Sequence, residues 1–92
     1  MAKVIVTAQV DDGSDWESKY RSHADLFRSQ GVHSPVHYAV NGDNGIAISI
    51  DVDDVDAYMK SMESPETAAA MAHDGVHRET VRFFVLDREW DL

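Results

Sequence analysis

Cysteine is absent from this chain of 92 residues. Its absence excludes a disulfide framework, a thiolate nucleophile and cysteine-based zinc or iron–sulfur sites. It suits a reducing compartment, and a cytoplasmic location is the expectation. Positive charge is scarce. Lys and Arg total 8 against 17 Asp and Glu, a formal net charge of −9. The few cations are scattered, so nothing tracks a phosphate backbone, and neither nucleic acid nor an anionic membrane is an expected partner. No apolar run approaches the ~20 residues that span a bilayer. Met1-Ala2-Lys3 leads directly into Val4-Ile5-Val6, without the long apolar core of a secretory signal. There is no glycine-rich phosphate loop, no G-x-S-x-G and no N-terminal proline nucleophile. The length predicts one domain over residues 1–92. A chain of this size buries only about 60–65% of its unfolded surface, and dimerisation is a common way to add buried area.

What is present reads as alternating strands and helices. Val4, Val6, Ala8 and Val10 alternate with Ile5, Thr7 and Gln9 as a first strand. Ser14, with Glu17 at the capping-box position, predicts a helix from about Asp15 to Gln30, stopped by Gly31. Pro35 implies a loop, after which Val36–Val40 is a second strand. Asn41–Gly45 is a turn and Ile46–Val52 a third strand. Asp53 or Asp54 caps a second helix through about Met62. Ser64-Pro65 restarts it, and Gly75 ends it. Val81–Leu86 is a fourth strand, and residues 87–92 form a polar tail carrying Trp90, expected to dock on a partner subunit. The order β-α-β-β-α-β predicts an α+β, ferredoxin-like sandwich with a four-stranded antiparallel sheet.

Gly31-Val32-His33 recurs as Gly75-Val76-His77, 44 residues later. The repeat marks two β-α-β halves. Each glycine is a left-handed helix stop, and each valine packs back on the last turn. In an antiparallel sheet the second and fourth strands start at opposite ends, about 20 Å apart. His33 and His77 therefore cannot share a metal within one chain. Pro35 and Gly75 interrupt the helix that an i, i+4 histidine pair needs. No metal and no cofactor are expected, a site between protomers built from His33, His37 or His77 being the residual alternative.

The candidate chemistry lies on the first helix. At ~100° per residue, Trp16, Tyr20, His23 and Phe27 fall on one face. His23 would sit in the middle of an apolar surface, held neutral by desolvation, as a base or hydrogen-bond partner. Tyr20 is its candidate catalytic companion. Tyr58, Met59 and Met62 offer a second apolar face, which reads as core or as an adaptable pocket wall. Ala47, Ser49 and Asp51 of the third strand face either the helices, which would leave a cavity, or a dimer partner.

The stretches "DWESKYRSHADLFRSQGV" and "YMKSMESPETAAAMAHDGV", in this element order, resemble the dimeric α+β barrel superfamily. It includes antibiotic-biosynthesis monooxygenases, polyketide cyclases and stress-responsive A/B-barrel proteins. The resemblance implies a homodimer with sheets packed face to face and an apolar pocket between each sheet and its own helices. Trp16, Tyr20, His23 and Phe27 would line that pocket with Tyr58, Met59 and Met62. Cyclase-like members carry a histidine shortly after the second-helix proline, where this chain has Glu66-Thr67. Haem-degrading members use an Asn that the first strand lacks. The expected function is binding or transformation of a small apolar or aromatic metabolite, cofactor-independent and of oxygenase, cyclase or isomerase type. The alternative is a non-catalytic dimerisation or interaction module with a filled core.

Overall fold

The structure, a computed structural model, describes residues 1–92. Strand β1 (Ala2–Gln9) alternates burial residue by residue, as its side-chain period of two requires. Helices α1 (Gly13–Arg21) and α2 (Ala24–Ser29) follow, then β2 (Val32–Val40) and β3 (Gly45–Val52). Helices α3 (Val55–Ser61) and α4 (Pro65–His73), a 3₁₀ turn (Arg78–Thr80) and β4 (Arg82–Val85) complete the chain. The strands form one antiparallel sheet in the order β2-β3-β1-β4. This is the expected ferredoxin-like α+β arrangement.

Only one sheet face is covered. Val4, Val6 and Ala8 of β1, with Val10 just beyond its end, join Ile46, Ile48, Ile50 and Val52 of β3 in the core, together with Trp16 and Tyr58 from the helices. Ile5, Ala47, Ser49 and Asp51 point the other way, with Ser49 opposite both Ile5 and His37, and Ile5 opposite Phe84. The small residues of β3 thus face away from the helices.

The helical boundaries differ from the expected ones in two places. Asp12, not Ser14, is the first N-cap, accepting from the Asp15 N–H at 3.0 Å. The helix begins early because the Asn44 side chain accepts the Gly13 N–H at 2.9 Å. The expected continuous helix Asp15–Gln30 is broken at Ser22–His23. There the backbone tightens to i→i−3 bonds, Ser22 to Lys19 and His23 to Tyr20, both 3.1 Å. The Ser22 hydroxyl takes the Lys19 carbonyl at 2.5 Å, a local competitor for the helical ladder. The second helical segment is divided as expected, with Ser64 as N-cap and Pro65 at the start of α4.

Strand β2 begins at Val32, four residues before the expected Val36, and absorbs Pro35. It is an edge strand, where a missing N–H is tolerated, and its register slips between His33 and His37. Strand β4 stops at Val85, one residue short of the expected end.

The Gly-Val-His repeat is built as two matching corners. Gly31 and Gly75 adopt φ of +81° and +74°. Each carbonyl accepts a backbone N–H from an aspartate that follows a central strand, Asp53 at 3.1 Å and Asp11 at 2.9 Å. Each histidine then bonds that same aspartate, His33 to Asp53 at 2.5 Å and His77 to Asp11 at 2.6 Å. The histidine of each half is thereby tied to the other half. His33 sits beside the Asp51–Lys3 end of the sheet, whereas the His77 N–H bonds Gln9. That is six residues along β1, about 20 Å. Gly75→Ala is expected to cost about 1–2 kcal/mol from the left-handed backbone alone. The new Cβ would also lie 3.1 Å from the Asp11 carboxylate, against 3.5 Å from Asp53 for Gly31→Ala. Thermal unfolding should therefore rank Gly75→Ala below Gly31→Ala, both below the unsubstituted chain.

Candidate functional site

Between the helices and the covered sheet face lies a cavity of about 80 Å³, with 17 hydrophobic residues among the 20 that line it. Helix α1 supplies Trp16 and Tyr20, α2 supplies Phe27, α3 supplies Tyr58, and Met62 caps α3. Helix α4 contributes Ala70, whose small side chain leaves the space open. Met59 packs against the core but does not reach the cavity.

Tyr20 is the centre of the aromatic cluster. Its ring stacks on Trp16 at 4.7 Å and 20°, and its centroid also lies 4.7 Å from that of Phe27. Tyr38 stands edge-on to Trp16 and donates its hydroxyl to Glu17 at 2.5 Å, a bond that raises the Tyr38 phenol above its ordinary pKa. Tyr20 and Tyr58 differ. Neither hydroxyl is bonded within the chain, yet no buried side-chain polar atom lacks a partner, so both oxygens meet accessible space. Burial pushes the Tyr20 phenol well above its ordinary value, with smaller contributions from Tyr58, Asp74 and Tyr38. Burial alone pushes Tyr58 up to about 12. Both are neutral hydrogen-bond donors throughout the physiological range.

Three wall residues are polar: Gln30, Thr67 and Asp74. Thr67 and Gln30 satisfy each other, the Gln30 amide donating to the Thr67 hydroxyl at 2.8 Å. Asp74 is the one charged wall residue, and only 5% exposed. Its Oδ1 lies 2.9 Å from His23 Nε2 and 3.0 Å from His73 Nδ1. An ionised carboxylate only accepts, so both ring nitrogens donate to it. A neutral His23 ring then carries its lone pair on Nδ1.

His23 is therefore not at the centre of a buried face. It occupies the break between α1 and α2, retains 22% side-chain exposure and does not line the cavity itself. The helical-wheel reading assumed an unbroken spiral, which the Ser22 hydroxyl interrupts. His23 reaches the site through Asp74, and through an edge contact with Phe27 at 6.3 Å. Neither His73 nor Asp74 is among the candidates that the sequence suggests. An acid at the negative end of a helix, immediately before the stop glycine, was the available signal.

No family model and no curated protein matches the sequence. Solved structures do. A Bordetella bronchiseptica protein assigned as an antibiotic biosynthesis monooxygenase superposes with a TM-score of 0.73, at 18% identity over 97% of both chains. SnoaB, a cofactor-independent oxygenase from Streptomyces nogalater, gives 0.68 at 17% identity, covering 99% of this chain and 95% of that one. The chain shares the ferredoxin-like fold of these structures. At these identities the likeness is one of fold. Within this fold, the chain places two phenols without an internal partner and a carboxylate held by two histidines. No helix is long and apolar enough to cross a membrane.

Proposed function

We propose that this protein binds a small apolar or aromatic metabolite in the helix–sheet cavity and transforms it by acid–base chemistry of its own side chains. Oxygenase-, cyclase- or isomerase-type proton transfer fits. The supporting observation is an almost wholly apolar cavity lined by two neutral phenols whose hydroxyls have no partner within the chain. Tyr20 and Tyr58 donate to a ligand carbonyl or to a developing oxyanion, where the low dielectric strengthens each bond. Asp74 is the proton acceptor within reach of a ligand. His23 holds Asp74 in place by donating its Nε2–H to the carboxylate at 2.9 Å. Trp16, Phe27 and Met62 supply apolar surface, and Met59 supports them from behind.

The reading takes residues 1–92 as one cytoplasmic domain acting as a homodimer, joined through the uncovered sheet face. Phe84 is 54% exposed there beside Ile5, and Trp90 of the tail is 83% exposed, which suits burial by a second copy.

The test is a titration with 1-naphthol, read by tryptophan emission in protein shown by light scattering to be dimeric. Saturable quenching is expected. Ala70→Leu fills the cavity and should abolish it with melting unchanged. Tyr20→Phe, which removes one neutral hydrogen bond worth about 1 kcal/mol, should weaken binding about five-fold. Quenching that survives Ala70→Leu would sink the cavity reading. Absence of binding altogether would favour a non-catalytic interaction module.

A further inference from the structure

The geometry points to a divalent transition-metal site formed by His23, His73 and Asp74 at the wall of the cavity. The three ligand atoms, two imidazole nitrogens and a carboxylate oxygen, all lie within 4.8 Å of one another. A metal about 2.1 Å from each donor needs donors about 3–3.5 Å apart. The two spacings to Asp74 Oδ1 are 2.9 and 3.0 Å and the two nitrogens lie within 4.8 Å of each other, so turning the rings would bring all three donors onto one ion. Two nitrogens with one carboxylate suit zinc, cobalt, nickel or ferrous iron, whereas magnesium and calcium favour all-oxygen cages.

Burial adds to the geometry. Asp74 is only 5% exposed and sits at the C-cap of α4. Its ion-pair partners are His23 and His73 alone, while Lys19 pairs with Asp15 at 2.9 Å and reaches Asp74 only as a longer-range coulombic neighbour. A divalent cation would be held by the same three side chains.

The other two histidine–aspartate contacts provide an internal contrast. His33–Asp53 and His77–Asp11 use the same residue types at similar distances, but each offers only two donors on exposed side chains. Three protein ligands also leave a coordination position open for water or for a ligand's oxygen. The inference goes beyond the acid–base reading and does not need it. The ion would occupy the atoms that otherwise hold His23 and Asp74 together, so metal-loaded and metal-free protein would differ in their chemistry.

The experiment uses untagged, chelator-treated protein with Zn²⁺ in equilibrium dialysis, and Co²⁺ followed by its visible absorption. One equivalent per chain is expected. His73→Ala and His23→Ala should each weaken binding at least ten-fold and remove the cobalt band. His33→Ala and His77→Ala should leave both unchanged. His73 is 57% exposed, so its variant should fold, as far-UV circular dichroism would verify. Lack of stoichiometric binding, or binding that persists in folded His73→Ala and His23→Ala, overturns the proposal. The naphthol titration, run on the chelated protein, is read separately and fails or succeeds on its own.

Discussion

Trp16→Ala is expected to destabilise this protein by about 3–5 kcal/mol, the usual range for deleting a fully buried large aromatic. A domain of this length has only about 5–10 kcal/mol to lose, so the variant should be partly unfolded at 37 °C, with its midpoint lowered by more than about 10 °C. Trp16 is 1% exposed and is the largest of the fully buried side chains. It carries the stack on Tyr20 at 4.7 Å and the edge contact with Tyr38 at 5.7 Å, so its loss unsupports both rings as well as vacating volume. Trp16→Phe keeps an aromatic surface and should cost about half as much. Urea unfolding followed by circular dichroism measures both. A cost below about 1 kcal/mol for Trp16→Ala would mean that α1 is not anchored to the sheet in the way its burial implies.

Much of this architecture was legible because the chain punctuates it. Gly31 and Gly75 end helices, Ser64-Pro65 opens one, and Asn41–Gly45 turns between two alternating strands. Those signals are local, and local chemistry decides them. The break at Ser22–His23 was not legible for the opposite reason. Ser22 is tolerated in a helix, and what fixes the break includes a contact 51 residues away, from His23 to Asp74. The early start of β2 was hidden by Pro35, which reads as a loop until the strand is known to lie on the sheet edge. The aromatic members of the site followed from helical spacing, and Trp16, Tyr20, Phe27, Tyr58 and Met62 do border one cavity. Its charged member did not follow, because Asp74 looks like a loop residue next to a stop glycine. The Gly-Val-His repeat disclosed two halves. It did not disclose that each histidine is bonded to an aspartate of the opposite half, a relation set by the sheet order.

Alkali should unfold this protein sharply between pH 10 and 12, and the two cavity tyrosines should be the reason. Burial raises the folded-state pKa of Tyr58 to about 12 and that of Tyr20 still further above its ordinary value. In the unfolded chain both phenols titrate near 10. Below that pH both states hold the proton, and the full stability is present. Above it the unfolded chain binds fewer protons than the folded one, so stability falls as pH rises, by about 1.4 kcal/mol per unit for each tyrosine. Tyr58 alone accounts for about 2 kcal/mol by pH 12, and Tyr20 for slightly more over the same interval. Together they approach the whole stability of a domain of this size. Neither hydroxyl is bonded within the chain, so Tyr20→Phe and Tyr58→Phe should be nearly neutral at pH 7, and the double variant should remain folded at least one pH unit higher. Circular dichroism across an alkaline titration reads the midpoint. The same midpoint in the double variant and the unsubstituted chain would show that the phenols are solvated. A shifted one would confirm that the desolvation which makes the protein alkali-labile also keeps both hydroxyls protonated, as donors to a ligand, at every pH a cell presents.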